Sequence, residues 1–109
     1  LWVCGPGAYI VIKALTFAQR HLNKDAYDLF YVLRNYGAGV QDVFHHLAPL
    51  LRAPQAQQAL DILRMDFADP KGAGACAVPL FLFGRPDDDL QADVAGFACR
   101  LLDCFGMAP

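Results

Sequence analysis

The sequence predicts an all-α fold, a compact bundle of about five helices in a single domain over residues 1–109, and three observations carry that reading. Apolar residues recur at spacings of three and four along most of the chain, the period that lines side chains up on one face of a helix. Gly and Pro punctuate this pattern at the places where one helix must stop and another begin. Apolar residues make up 56% of 109 positions, enough to fill one hydrophobic core, and the length is too short for two.

Pro6 and Gly7 open the first helix, since a proline in the first turn forfeits no hydrogen bond. From Ala8 to about Leu22 the pattern is helical. Ala8, Val11, Ile12, Leu15, Ala18 and Leu22 form an apolar face, and Ile10, Ala14 and Phe17 widen it until the helix is buried nearly all round. What remains is a narrow polar stripe of Lys13, Thr16, Arg20 and Asn23. Asn23 then suits the N-cap of a second helix, with Asp25 in its first turn where negative charge favours the helix dipole. That helix runs to about Tyr36 and ends at Gly37-Ala38-Gly39. Ala26, Leu29, Phe30 and Leu33 form its core face. Asp25 and Asp28 share a second face, and Tyr27, Tyr31 and Arg34 share a third. The short join between the two helices predicts a tight corner that brings the polar stripe near the two Asp residues.

A third helix is expected over about Val40 to Arg52, bent or shortened by Pro49, with Val40, Val43, Phe44, Leu47 and Leu51 inward. A fourth runs from Pro54 to about Phe67 and buries Ala56, Ala59, Leu60, Leu63 and Phe67. Asp69 to Ala75 reads as a loop. Cys76 to Phe83 fits a strand or a buried helix; with no partner strand elsewhere, a short helix is the better reading. The last helix follows Arg85-Pro86 and three Asp residues, buries Leu90, Val94, Phe97, Leu101 and Cys104, and ends at Gly106.

Composition removes several classes of function. The chain has no Ser, no Glu and a single Thr, so a serine nucleophile is excluded within it and every carboxylate is an Asp or the C-terminus. A net charge of −2 gives no strong field, which argues against free-standing nonspecific nucleic-acid binding, and no DNA partner is expected. No stretch approaches the roughly 18 uncharged apolar residues of a membrane span. Cys4, Cys76, Cys99 and Cys104 lack the close pairing or nearby His that zinc requires, so buried reduced thiols of a cytoplasmic protein are expected. The chain begins at Leu1 in mid-pattern, and a longer parent protein is the expectation.

Few residue clusters can carry chemistry. Asp87-Asp88-Asp89 can be read as a divalent-cation site, but consecutive residues at a helix start point in different directions and the dipole accounts for them. His45-His46 are adjacent on a helix, about 100° apart, and read as surface residues. The Gly-x-Gly pieces at 5–7, 37–39 and 72–74 lack the strand, third glycine and ribose-binding acid of a dinucleotide site and read as turns and helix stops. No metal-ligand set is assigned. The remaining constellation is Lys13, Arg20, Lys24, Asp25 and Asp28. Its cations can hold a polyphosphate while an Asp orients or activates an acceptor; equally, the five can be a salt-bridge network tying two helices together.

The stretch from Cys4 to Arg34 resembles the nucleotidyltransferase AbiEii/AbiGii toxin family. The resemblance rests on the helix-borne Lys13 and Arg20 and on Asn23-Lys24-Asp25-Ala26-Tyr27-Asp28-Leu29, which is similar to that family's Lys/Arg-Asp-x-x-Asp-Leu helix. It implies transfer of a nucleoside monophosphate from a nucleoside triphosphate to an acceptor, RNA among the candidates, with Mg²⁺, in the toxin of a toxin–antitoxin pair. On that resemblance Lys13 contacts the triphosphate, Arg20 and Lys24 support the phosphates, and Asp25 and Asp28 are the catalytic acids beside the reaction centre. The family's upstream Gly-Ser turn and metal-binding acids do not occur here, so most Mg²⁺ ligands are expected outside this chain, and the chain alone is expected to be inactive. The competing expectation is a non-catalytic helical interaction domain, marked by an exposed apolar patch around Trp2, Tyr9 and the Tyr27/Tyr31 face.

Overall fold

The computed structural model describes residues 5–107. Six α-helices follow one another: α1 Pro6–Arg20, α2 Asn23–Asn35, α3 Val40–Leu47, α4 Pro54–Ile62, α5 Ala73–Phe83 and α6 Asp88–Cys104. A single 3₁₀ turn, Ala48–Leu50, extends α3, and a π-turn, Leu63–Phe67, extends α4. No strand occurs among the described residues, and Cys76 to Phe83 is helical as the sequence suggests. The radius of gyration, 12.6 Å, is that of a folded domain, for which about 13 Å is expected at a hundred residues.

α1 packs against α2, α3 and α4, while α5 and α6 close the other side of α2. The core between them is continuous: Ile10, Ala14 and Phe17 of α1, Leu29 and Leu33 of α2, Val43 and Leu47 of α3, and Leu101 and Leu102 of α6 belong to one buried cluster. Phe17 and Phe67 meet edge to face with ring centroids 5.5 Å apart, which fixes the π-turn against α1. That turn is a true widening, since the Ala68 N–H donates back five residues to the Leu63 carbonyl at 2.8 Å. Glycines are needed where elements approach closely, Gly7 and Gly74 among them. A Cβ on Gly7 would stand 2.5 Å from the backbone oxygen of His46, and one on Gly74 would strike the Phe67 ring.

Several expectations shift. α1 stops at Arg20 because His21 adopts the left-handed conformation, φ 53°, and its N–H closes on the Phe17 carbonyl. The N-cap of α2 is therefore Leu22 and Asn23 is already helical, so the Asn23 cap is corrected. Ile12 and Leu22, expected inside, are exposed, because the buried arc of α1 is centred on Ile10, Ala14 and Phe17. Pro49 ends α3 at Leu47 by withholding the N–H that another α-turn needs. α5 begins three residues earlier than expected, with Gly72 as its N-cap and Gly74 inside it, so this Gly-x-Gly starts a helix. The buried stripe of α6 is Val94, Ala95, Ala98, Leu101 and Leu102, and Leu90, Phe97 and Cys104 are only half-buried at its margin.

Candidate functional site

α1 and α2 bring all five charged candidates together across the His21–Leu22 corner. Lys13 lies at the middle of α1 and its Nζ reaches the Asp28 Oδ2 at 2.9 Å and the Asp25 Oδ1 at 3.5 Å. About two turns later, the Arg20 Nη2 donates to both oxygens of Asp25, at 3.1 and 3.0 Å. From the first turn of α2, Lys24 Nζ donates to the Asp28 Oδ2 at 2.9 Å, the i, i+4 pair expected from spacing. Lys13 is thus the bridge between two carboxylates that come from a neighbouring helix. The Tyr9 ring lies 5.6 Å from its ammonium, one turn earlier on α1. Of the other stripe residues, Thr16 is occupied by its own helix, donating to the Ile12 carbonyl at 2.7 Å, and Asn23 is exposed.

Burial is graded across the cluster. The side chains are 4% exposed at Asp25, 13% at Asp28 and 21% at Lys13, against 55% at Arg20 and 65% at Lys24. The acids form the floor and two cations face water. Burial pushes the Asp28 carboxyl up, but the hydrogen bonds from Lys24 and Lys13 outweigh it and hold the group below the ordinary carboxylate range. The same contact, the hydrogen bond to Asp28, raises the Lys13 ammonium above its usual value despite burial, with the charge of Asp28 adding to it. At neutral pH both are fully ionised. Asp28 in this state is a weak base, and Asp25 has both oxygens engaged by Arg20.

Three cations and two carboxylates leave the group with a net charge of +1. A guanidinium carries five N–H donors and an ammonium three, so Arg20 and Lys24 keep donors to spare beyond the bonds they make to Asp25 and Asp28. The chemistry available is recognition of an anion at the rim. A divalent cation does not fit the same residues, because each carboxylate already faces two positively charged groups. Among the described residues no group of three His, Cys or Asp side chains is gathered at metal-ligand spacing. Asp87 instead caps α6, its Oδ1 accepting from the Leu90 N–H at 2.9 Å, with Asp88 and Asp89 in the first turn behind it.

Neither of two clefts on the surface is lined by these five residues. One, of about 610 Å³, includes Arg34, Phe97 and Arg100; the other, of about 270 Å³, lies along Tyr31 to Gly37. Features that the sequence reading passed over lie elsewhere as well. Leu80, Phe81, Leu82 and Phe83 at the end of α5 are all exposed, with Phe81 stacked on Tyr27 at 5.2 Å. Tyr27 in turn lies 6.0 Å from Tyr31, so the Tyr face of α2 continues onto α5. The uninterrupted run Pro79 to Phe83 was the available signal, since four consecutive large apolar residues cannot all face inward from one helix. Trp2 and Cys4 lie outside the described residues; Cys76, Cys99 and Cys104 are free thiols and half-buried, less enclosed than expected. No described helix is long and apolar enough to cross a membrane. No protein-family model matches this chain, and no curated protein or solved structure matches it.

Proposed function

We propose that this chain is the C-terminal helical portion of an AbiEii-like nucleotidyltransferase, acting in the cytoplasm, with the α1–α2 corner as its phosphate-facing wall. The observation that carries the reading is the convergence of Lys13, Arg20, Lys24, Asp25 and Asp28 into one half-exposed cluster whose cations form the outer layer. A triphosphate is met by Arg20 and Lys24 at the rim and by Lys13 behind them. Asp25 is a positioning residue that holds Arg20 and Lys13. Asp28, the more exposed acid, lies beside the reaction centre. Mg²⁺, which neutralises the triphosphate in such transfers, takes its ligands from outside this chain. An RNA acceptor and an antitoxin protein are the partners this reading entails.

The test is transfer of labelled nucleoside monophosphate by protein containing this region. Lys13→Ala is expected to abolish transfer while the helical circular dichroism is kept. Unchanged transfer would remove Lys13 from the site.

A second reading has its own observation. The surface made by exposed Tyr31 and Leu80 to Phe83, joined through half-buried Tyr27, is of the kind that a non-catalytic interaction domain presents to a partner protein. Under that reading Phe81→Asp abolishes partner binding, and Lys13→Ala leaves it intact.

A further inference from the structure

The cleft of about 610 Å³ is bounded by the end of α2, the turn that follows it, the start of α3 and the last turns of α6. It is independent of the α1–α2 corner, and its chemistry is dominated by two arginines. Arg34 and Arg100 both line it, and among the described residues neither guanidinium has a carboxylate within 4.0 Å. Lys13, Arg20, Lys24 and Arg64, by contrast, are all paired.

The two arginines are not loose. The guanidinium of Arg34 lies 5.9 Å from the centre of the Phe30 ring and that of Arg100 lies 4.2 Å from the centre of the Phe97 ring. Those rings meet edge to face at 5.9 Å, and the Arg100 Nε also donates to the Gly96 carbonyl at 3.3 Å. An aromatic pair shared between α2 and α6 therefore has one guanidinium beside each ring. Stacking leaves the N–H edge of a guanidinium available, and that edge matches the oxygens of a phosphate. Both arginines lie near the ends of their helices, and positive charge is favoured in the last turn in any protein. The dipole accounts for Arg34 in the last turn of α2, but not for Arg100, which lies before the last turn of α6, nor for two unpaired guanidinium groups beside a joined pair of rings at a single cleft.

The third wall has the same polarity. α3 has Gly39 as its N-cap with no side-chain cap, and Gly39, Val40 and Gln41 line the cleft, so the start of this helix, where the first N–H groups lack intrahelical acceptors, borders the same space. The carboxylate of Asp42, in the first turn of α3, accepts from the N–H of Ala38, itself a lining residue, at 2.6 Å and is not part of the lining. Asp103 is the one acid in the lining. Two arginines against one carboxylate leave the cleft net positive.

We infer that this cleft binds a small organic phosphate, its phosphoryl group held between Arg34, Arg100 and the start of α3. The volume falls within the range of small-molecule sites, about 300–1,000 Å³, so it holds more than a bare phosphate ion.

Cys104 supplies the readout, because its thiol lies in the lining and accepts from the Gln41 Nε2 at 3.4 Å. The full chain is treated with iodoacetamide and modification of Cys104 is followed by peptide mass, with and without ribose 5-phosphate. The phosphate ester is expected to slow Cys104 alkylation at least about threefold at saturation, as occupancy of a site protects its lining. Ribose at the same concentration is expected to give no protection, and inorganic phosphate weaker protection. The protection ratio is lost in Arg34→Gln/Arg100→Gln, unchanged in Arg20→Gln, and reached at lower ligand concentration in Asp103→Asn, by about two- to fivefold, since a repelling charge has been removed. Absence of protection in the wild type and in Asp103→Asn overturns the inference. So does protection by ribose, or protection that survives loss of both arginines. Protection by inorganic phosphate equal to that by the ester, with no preference between them, reduces the cleft to an adventitious ion site only and also overturns it. Because the readout is at Cys104, none of these results depends on whether the α1–α2 corner meets a nucleotide.

Discussion

Asp25 is the most enclosed charge in the described structure, and its neighbours decide what its loss does. Asp25→Asn keeps the shape but replaces an ionic acceptor with a neutral amide facing two cations. It is expected to destabilise the fold by about 1.5–3 kcal/mol, the range for a hydrogen bond to a charged group, read from urea unfolding. Arg20→Gln releases a side chain more than half in water, so its cost is under about 1 kcal/mol. Asp28 adds a pH dependence. Its folded carboxyl lies below the usual carboxylate value, so its contribution is present above that value and is lost as pH falls through the lower, folded one. Unfolding midpoints between pH 7 and pH 3 are expected to fall less steeply in Asp28→Asn than in the wild type. Equal slopes would show that the pair contributes nothing.

The pairing of these residues was legible because Lys13, Arg20 and the two acids sit at helical spacings on consecutive helices. What spacing could not settle was depth. Asp25 and Lys24 are adjacent in sequence, yet one forms the floor of the cluster and the other its rim, since successive helical residues differ by about 100° in direction.

At the scale of elements, the α1–α3 contact depends on a missing side chain. Gly7→Ala would place a methyl against the His46 backbone, which cannot swing aside as a side chain can. Overpacking of this kind is expected to cost about 1–3 kcal/mol by thermal or urea unfolding, although alanine is the better helix former by about 1 kcal/mol. A neutral or stabilising result would mean that the two helices are free to separate. Helix existence was readable in the segments with a clear apolar period, whereas Cys76 to Phe83 has none and reads as a helix only because no partner strand is in view. Helix ends were less readable. Asn23 has the chemistry of an N-cap but was displaced by the left-handed turn at His21, and Gly74 of α5 belongs to its packing against Phe67, a contact that local sequence does not display. The cleft between α2, α3 and α6 was invisible for the same reason: Phe30–Arg34 and Phe97–Arg100 each read as an ordinary helical pair until the fold joins their rings.

The molecule as a whole is one core, and Phe67 stands at its junction. It is fully buried in the π-turn, against Phe17 and under Gly74. Phe67→Ala is expected to cost about 3–5 kcal/mol, a large share of the 5–15 kcal/mol that ordinary domains possess. The loss should appear in one cooperative transition seen alike by circular dichroism and tyrosine fluorescence. Two separate transitions would divide the molecule into independent units. Outside that core lie the charged corner of α1 and α2, the aromatic end of α5 and the arginine cleft, and each leaves a different kind of chemistry at the surface.

The central claim, that the α1–α2 corner meets the phosphates of a nucleotide, is tested most directly by titrating the ¹⁵N-labelled chain with a non-hydrolysable nucleoside triphosphate. Saturable shifts are predicted at the amides of Arg20 to Asp28, and they disappear in Arg20→Gln/Lys24→Gln. No shift at these amides, or the same shifts in that variant, would contradict the claim and leave the five residues as a clamp between two helices.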